Sequence, residues 1–207
     1  DSIAGRLGDI VQQHGPDAVG FYVSGQLLTE DYYVFNKLAK GLVGSNNIDS
    51  NSRLCMSSAV AGYKATLGSD APPACYDDLA LADVVMIAGS NAAWAHPILF
   101  RRLEEARRAR PEQKLIVVDP RRTETAAVAD LHLQLLPGSD VALFNGLLHW
   151  LVWEGKVDHA YIAAHTKGFD ALRTRVRENT PAATARITGL SEADIVTAAR
   201  WLGEAGA

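Results

Sequence analysis

The sequence predicts an α/β fold: a mostly parallel, doubly wound sheet flanked by helices, with additional helices at the C-terminal end. Short apolar runs rich in β-branched residues alternate along the chain with segments whose apolar residues recur at helical spacing. Strands and helices that alternate at these lengths favour parallel strands joined by right-handed crossovers. With 207 residues, 48% of them apolar and 21% charged, the chain is long enough to bury a core as a single α/β domain covering residues 1–207.

The first third of the chain contains one predicted strand among three predicted helices. Apolar residues at helical spacing predict a helix over residues 1–13, and AVGFYVS at 18–24 predicts a strand. A second helix is expected over 29–43 and a third over 55–67. The polar stretch 45–54 between them is expected to be a loop.

Two strongly apolar runs predict the centre of the sheet. DVVMIA at 83–88 and KLIVV at 114–118 are typical of strands buried on both faces, and the amphipathic helix expected over 97–110 joins them as a βαβ unit. A shorter strand over 131–136 leads into an apolar helix over 141–154. The remaining predicted helices cover residues 158–165, 169–178 and 191–204.

The helix over 97–110 carries a run of charged residues. Arg101 and Arg102 are interleaved with Glu104 and Glu105, and further arginines follow toward its end. Pairs of opposite charge three or four residues apart stabilise a solvated helix face. We therefore expect these charges to pair within the helix.

Charge and cysteine content disfavour several classes of partner. Twenty Lys and Arg against 24 Asp and Glu leave a net charge of −4 without a basic block, so nucleic acid is not an expected partner. The sequence has no stretch of about 20 apolar residues, which a helix would need to cross a bilayer, so no membrane partner is expected. Cys55 and Cys75 form neither a CxxC pair nor a disulfide framework, which is compatible with a reducing compartment and disfavours structural zinc. The chain begins with Asp1 and shows no signal peptide, so we expect a piece of a longer protein.

The candidate site lies where the predicted strands end, because doubly wound folds bind ligands at the carboxyl ends of their strands. The residues after each apolar run are polar and rich in Gly or Pro, and they lie at 24–26, 89–91, 119–123 and 137–140. Such loops can place backbone amides on a phosphate and acidic side chains on a ribose or a guanine. The four loops therefore indicate a cofactor that contains a nucleotide. The sequence lacks GxGxxG and GxxxxGK[ST], which disfavours ordinary NAD binding and P-loop chemistry.

Each loop also has an ordinary structural interpretation. The segment 89–91 could form a turn and a helix N-cap. Asp119 could cap a helix or form an ion pair with Arg121 or its neighbour. Ser139 or Asp140 could be the N-cap of the helix that follows.

Cys55 is the strongest single candidate for a reactive residue. A cysteine at the start of a helix after a polar loop can be presented to a ligand or a metal. A lone cysteine can equally be a small buried apolar residue, which is the interpretation we give Cys75. Met56 would ordinarily fill space in a core. The six histidines show no HExxH spacing, and His149 is expected to be a partly buried side chain with a hydrogen-bond partner.

Longer motifs favour the functional interpretation. SNNIDSNSRLCMSSAVAG at 45–62 resembles the molybdenum-binding segment of bacterial nitrate reductases, in the molybdopterin oxidoreductase (dimethyl sulfoxide reductase) superfamily. The resemblance extends over about residues 18 to 170 and supports the interpretation of the strand ends as a cofactor site. The other matching motifs are YVSGQ at 22–26, CYDDLALADVVMIAGSN at 75–91, HPILFRR at 96–102, VVDPRRTET at 117–125 and LPGSDVALFNGLLH at 136–149.

The resemblance implies a cofactor and gives residues their roles. The cofactor is molybdenum held by two molybdopterin guanine dinucleotides, with Cys55 as the protein thiolate on the metal; soft thiolates suit such a centre. Met56 is expected to line the substrate position, and Gln26 and Asn51 to contact the pterin or the active site. Contacts to the guanine dinucleotides are expected within 88–95, 119–123 and 138–140, and above all from Gly89, Ser90, Asn91, Asp119, Pro120, Arg121, Gly138, Ser139 and Asp140.

The implied reaction is the reduction of nitrate to nitrite. Electrons would come through an iron–sulfur (4Fe–4S) cluster that this chain does not ligate, because the family's N-terminal cysteine-rich segment lies outside this sequence. An electron-donor protein or reductase subunit would be the partner. VDPRRTET and LPGSDVALFNGLLHWLVWEG resemble the cytoplasmic assimilatory branch, so a cytoplasmic protein is expected. We expect the isolated piece to be inactive, because the family's later domains complete the site.

Two other functions share this fold. Formate dehydrogenases typically have cysteine or selenocysteine followed by histidine where this chain has Cys55 and Met56, so Met56 disfavours that activity. A non-catalytic relative, such as the large iron–sulfur subunit of respiratory complex I, keeps the fold without molybdenum. The presence of Cys55 together with Gln26 and Asn51 disfavours the second alternative.

Overall fold

The computed structural model describes residues 1–51 and 54–206. The chain divides into two compact units, Asp1–Pro73 and Ala74–Ala207, which are described separately here. Each unit combines helices with a sheet, and every strand pair is parallel. These features confirm the predicted α/β class with parallel strands flanked by helices.

The N-terminal unit contains a small sheet of two parallel strands. Phe21 of β1 lies opposite Ile48 of β2, and Val23 lies opposite Ser50. The second helix widens into a π-helix that ends at Val43, and the φ of 82° at the C-cap residue Gly44 lets the chain turn toward β2. The elements are α1 (Ser2–His14), β1 (Phe21–Val23), α2 (Thr29–Asn36) with its π-helical continuation (Lys37–Val43), β2 (Ile48–Ser50) and α3 (Ser57–Leu67).

The strand β2 corrects the prediction of a loop over residues 45–54. Ser45 is buried and its hydroxyl donates to the Val19 carbonyl at 3.4 Å, while the Asn47 amide donates to the Ser45 hydroxyl at 3.1 Å. The Asn47 side chain also donates to the Asp17 carbonyl at 3.0 Å. These side-chain bonds hold the segment beside β1, so its pairing does not depend on an apolar pattern.

The C-terminal unit is built on a parallel sheet in the order β3-β4-β5. Its strands are β3 (Val84–Ala88), β4 (Lys114–Val118) and β5 (Leu131–Leu133). Its helices are α4 (Asp78–Leu81), α5 (Ala92–Ala95), α6 (Pro97–Ala109), α7 (Glu124–Ala127), α8 (Asp140–Trp153), α9 (His159–His165), α10 (Phe169–Arg175), α11 (Pro181–Thr188) and α12 (Glu192–Glu204).

The central strand β4 is buried on both faces, as its sequence KLIVV predicts. Ile116 and Val118 belong to a core cluster with residues of α8 and α12, whereas Leu115 and Val117 belong to a second cluster with residues of α6 and α7. Successive side chains of a strand point to opposite faces, so one strand supplies both cores. The sheet is therefore covered by helices on both sides, as expected for a doubly wound fold.

The arginines at the end of α6 bind other elements, which corrects the prediction of pairing within the helix. Arg107 forms an ion pair with Asp130 at 2.6 Å, and Arg110 forms one with Asp83 at 2.6 Å. Asp83 directly precedes β3 and Asp130 directly precedes β5. Asp130 also accepts a hydrogen bond from the Leu115 amide at 2.7 Å. These pairs therefore join the amino ends of all three strands.

The helix α11 lies in a region where the sequence predicted no element. Thr180 accepts a hydrogen bond from the Ala183 amide as the N-cap, and Pro181 occupies the first turn. Both are ordinary helix-start signals. Among residues 1–51 and 54–206, no helix has the length and apolar character needed to cross a membrane.

Candidate cofactor site

Gln26 and Asn51 follow neighbouring parallel strands, β1 and β2. The Asn51 side-chain oxygen accepts a hydrogen bond from the backbone N–H of Gly25, which precedes Gln26. A Cβ at Gly25 would lie 2.6 Å from that oxygen, so only glycine allows this approach. The Gln26 amide donates to the Ser24 hydroxyl at 3.1 Å. The structure thus brings two of the predicted site residues to one edge of the N-terminal sheet.

Cys55 follows Asn51 after one short turn. The Leu54 amide donates to the Asn51 carbonyl at 3.0 Å, and Leu54–Met56 forms a 3-10 turn. The α-helix begins at Ser57, so Cys55 lies just before the helix and not within its first turn. Cys55 is exposed and Met56 is 44% exposed, so neither fills a core in this unit. The motif's Ser52 and Arg53 lie outside the described residues.

The described residues contain no complete set of protein ligands for a metal ion. Within the described part of the chain, no group of three or more His, Cys, Asp or Glu side chains could bind a metal ion. A structural zinc site would need four such ligands. Cys55 would therefore supply one thiol ligand at most.

A groove of about 530 Å³ in the C-terminal unit joins two of the predicted strand-end loops. It lies between the loop that follows β3 and the loop that follows β4. Two guanidinium groups and an indole ring line it, a combination that can bind phosphates and a flat aromatic base. The lining residues are Asn91, Trp94, Ala95, Arg121, Arg122, Thr123 and Glu124.

Asn91 connects the two walls of this groove. Its side-chain oxygen accepts a hydrogen bond from the Thr125 hydroxyl at 2.9 Å, and its side-chain amide donates to the Glu124 carboxylate at 3.0 Å. The Thr125 hydroxyl also accepts from the Ala93 amide at 2.9 Å. Asn91 is the N-cap residue of α5 but makes no side-chain bond to that helix. Its bonds to α7 fix the spacing of the groove's walls.

Replacing Asn91 with alanine should lower the stability of the C-terminal unit. The change removes the three side-chain bonds to Glu124 and Thr125 and leaves the fully buried Thr125 hydroxyl without its acceptor, at a cost of about 1–3 kcal/mol. Urea denaturation of the Asn91→Ala chain measures the change. Ser90→Ala is the matched control in the same loop, and an equal loss in both variants would contradict the role of Asn91.

Asp119 forms a turn and not an ion pair. It is 5% exposed, and its carboxylate accepts a hydrogen bond from the Arg121 amide at 2.8 Å. The His132 ring donates to the Asp119 carbonyl at 2.8 Å. Neither Arg121 nor Arg122 forms an ion pair with another described residue. The turn thereby leaves both guanidinium groups available at the groove.

The loop before α8 lies outside the lining of this groove. Gly138 has a φ of 82°, and the buried Ser139 donates its hydroxyl to the Leu136 carbonyl at 2.6 Å. Ser139 is the N-cap residue of α8 without a side-chain cap bond, and Asp140 is exposed in the first turn. The structure therefore brings together the strand-end loops after β3 and β4, but not the loop 138–140.

Two residues of the groove region were not predicted. Glu124 and Thr125 follow the predicted contact segment 119–123 directly. The motif VVDPRRTET contains both, so its last two residues were the available signal. His149 is as predicted: it is buried, and its ring lies 3.0 Å from the Val176 carbonyl through Nδ1.

Parallel sheets with polar strand-end loops define an α/β protein with a polar groove, lined in part by arginines, at the carboxyl ends of its strands. The family described as molybdopterin oxidoreductase matches residues 1–193, and the chain belongs to this family. The chain is 55% identical over 170 residues to a nitrate reductase of Shewanella frigidimarina, covering 82% of this chain and 18% of that protein. It is 40% identical over 205 residues to the F420-dependent formate dehydrogenase 1 subunit alpha of Methanococcus maripaludis. That match covers 99% of this chain and 30% of the other protein.

A solved structure shares the fold. The acetylene hydratase from Pelobacter acetylenicus matches with a TM-score of 0.64 and 30% identity, over 96% of this chain and 26% of that one. The chain therefore spans less than a third of the length of each of these relatives.

Proposed function

We propose that the chain is part of the catalytic subunit of a nitrate reductase, which reduces nitrate to nitrite. The observation that carries the proposal is the placement of Cys55 one turn after Asn51, whose side chain holds the loop of Gln26. An exposed thiol in the turn that follows β2 fits a metal cofactor better than it fits a core. The 55% identity to a protein named nitrate reductase supports the substrate.

The proposed cofactor is bis(molybdopterin guanine dinucleotide) molybdenum, which supplies oxygen-atom transfer and two-electron chemistry when bound. Cys55 would provide the thiolate, and Met56 an apolar side chain beside the substrate. Gln26 and Asn51 would donate and accept hydrogen bonds at the pterin. The dinucleotide contacts would come from Gly89, Ser90, Asn91, Asp119, Pro120, Arg121, Gly138, Ser139 and Asp140.

The guanidinium groups at the groove support the dinucleotide assignment. Arg121 and Arg122 line the groove with Trp94 and Glu124, and neither forms an ion pair with a residue that the structure describes. A diphosphate can neutralise them, and a guanine can stack on an indole. A 4Fe–4S cluster held elsewhere in the full-length protein and an electron-donor protein or reductase subunit complete the proposed electron path. The assimilatory-type motif VVDPRRTET supports a cytoplasmic role in nitrate assimilation.

Formate oxidation is the second candidate, because a formate dehydrogenase subunit is 40% identical over nearly the whole chain. Cys55 is followed here by Met56, which cannot accept or donate a proton. Turnover of nitrate and of formate by the purified full-length protein, with an artificial electron donor or acceptor, separates the two. Molybdenum and released guanine nucleotide are measured on the same sample. Formate turnover without nitrate turnover would overturn the proposal, and neither metal nor nucleotide would favour a non-catalytic relative.

Replacing Asp119 with alanine in the full-length protein should weaken cofactor retention. The change removes a buried carboxylate that fixes the Arg121 turn, and a charged hydrogen bond contributes about 1.5–3 kcal/mol. Guanine nucleotide per folded protein should fall while the preference among oxyanions stays the same. Glu105→Ala, at an exposed position of α6 outside the groove and outside the proposed contacts, is the comparison and should keep the nucleotide. Full molybdenum content with altered oxyanion preference would contradict the role of Asp119.

A further inference from the structure

A second cavity lies on the C-terminal unit, between the end of α8 and the helix α10. It has a volume of about 350 Å³, within the range of small-ligand pockets. None of its residues belongs to the groove or to the strand-end loops described above. The cavity is lined by Trp153, Asp170, Arg173, Thr174 and Arg177.

The two arginines that line this cavity have no ion-pair partner among the described residues. Neither Arg173 nor Arg177 forms an ion pair or a side-chain hydrogen bond with any residue in the described ranges. The Thr174 hydroxyl donates to the Asp170 carbonyl at 2.8 Å, so it is not a free donor. The donors available in the cavity therefore include the N–H groups of the two arginines and the indole N–H of Trp153.

Trp153 forms the aromatic wall of the cavity and packs against the buried side chain of His149. The Trp153 ring stacks on the His149 ring, with centroids 4.3 Å apart and planes 9° apart. His149 is buried, and its Nδ1 lies 3.0 Å from the carbonyl of the fully buried Val176. Because Val176 directly follows α10, this bond joins the two helices that border the cavity.

Arg173 is also positioned by this wall. Its guanidinium carbon lies 5.6 Å from the centroid of the Trp153 ring. This distance is within the range of a cation–π interaction, which favours a position of the Arg173 side chain beside the indole.

We propose that this cavity is a binding site for a small oxyanion with a carboxylate or phosphate group, separate from the proposed cofactor site. Arg173 and Arg177, one helical turn apart in sequence, would donate to its oxygens, and Trp153 would form the apolar wall. The Asp170 carboxylate also lines the cavity and opposes anion binding. Two positive charges against one negative charge leave the site favourable to an anion. The proposal does not depend on nitrate reduction.

The site can be tested by NMR on the chain with isotope-labelled tryptophan, by following the indole N–H signals during a titration with small anions. The chain has four tryptophans, so Trp153→Phe assigns the relevant signal. Inorganic phosphate and acetate are the probes, and sodium chloride at equal ionic strength is the control. We expect a saturable shift of the Trp153 signal with phosphate or acetate, and which of the two binds more tightly identifies the preferred group. No saturable shift with either probe, or an equal shift with chloride, would overturn the proposal.

Charge variants separate a specific site from diffuse attraction. Arg177→Gln and the double change Arg173→Gln with Arg177→Gln should each weaken binding at least tenfold, and Asp170→Asn should strengthen it. Arg175→Gln is the matched control, because Arg175 is exposed on the same helix but does not line the cavity. The described cation–π contact with the Trp153 ring comes from Arg173, so Arg177→Gln keeps that contact. Unchanged signals of the other tryptophans verify folding. Equal weakening by Arg175→Gln would contradict the proposal.

Discussion

Replacing Cys55 with serine in the full-length protein is expected to abolish nitrate reduction. Cys55 is exposed before α3, so the change creates no cavity and should leave the fold intact. A molybdenum ligand at this position would exchange a soft thiolate for a hard, weakly acidic hydroxyl. Turnover per folded protein, molybdenum content and the thermal midpoint are measured together.

Cys75 provides the matched control for this experiment. It is also a free cysteine, and it is exposed, which corrects its interpretation as a buried apolar residue. Its described bonds involve only its backbone: its amide donates to the Asp78 carboxylate at 2.7 Å and its carbonyl accepts from the Asp78 amide at 3.3 Å. Cys75→Ser should therefore keep most of the activity. Near-normal turnover of Cys55→Ser at matched folding would remove the metal-ligand role and leave the nitrate reductase proposal resting on family similarity.

Replacing Gly146 with valine should produce the largest loss of stability. Gly146 lies on α8 where α11 crosses it, and an added Cβ would overlap the side chain of the fully buried Thr184, whose own Cβ would be 2.9 Å away. Rotation of Thr184 cannot relieve a contact with its Cβ, so the helices must separate. Overpacking of this kind costs about 1–3 kcal/mol or more. Urea denaturation should show a lower midpoint for the C-terminal unit.

A second change distinguishes the helix crossing from a general intolerance of substitution. Thr184→Ala removes the two side-chain atoms nearest to the added Cβ and should partly restore the stability of Gly146→Val. Additive losses in the double variant would show that the two residues are not coupled. Gly8→Ala, on α1 with open space around the added Cβ, should instead be neutral or stabilising by up to about 1 kcal/mol.

The sequence predicted the C-terminal sheet because burial on both faces produces an unbroken apolar run. The predicted bounds of β4 agree with the structure at both ends, and the predicted start of β3 is one residue earlier than the observed start. The strand β2 was missed because Ile-Asp-Ser carries no apolar pattern and is held by side-chain bonds of Ser45 and Asn47. Such bonds depend on residues distant in sequence, and periodicity cannot reveal them.

The candidate site was predicted by a rule of topology. Strand ends were chosen because parallel strands bring them to one edge, and the structure places Gln26 beside Asn51 and Asn91 beside the loop after Asp119. The rule does not tell which loops meet, so the absence of Ser139 from the groove lining could not be foreseen. The ion pair between Arg107 and Asp130 could not be predicted either, because the spacing of charges along the sequence indicates only which residues are neighbours within one helix.

The ion pairs of Arg107 and Arg110 lie at the amino ends of the strands, whereas the groove lies at the carboxyl ends. The ion pairs that hold the strands together therefore lie at the opposite edge of the sheet from the loops that would bind a ligand. Exchanging the loop after β3 or β4 for that of a relative should therefore change ligand preference without unfolding the sheet. Relatives with different chemistries can share this scaffold because selection can act on the two edges independently.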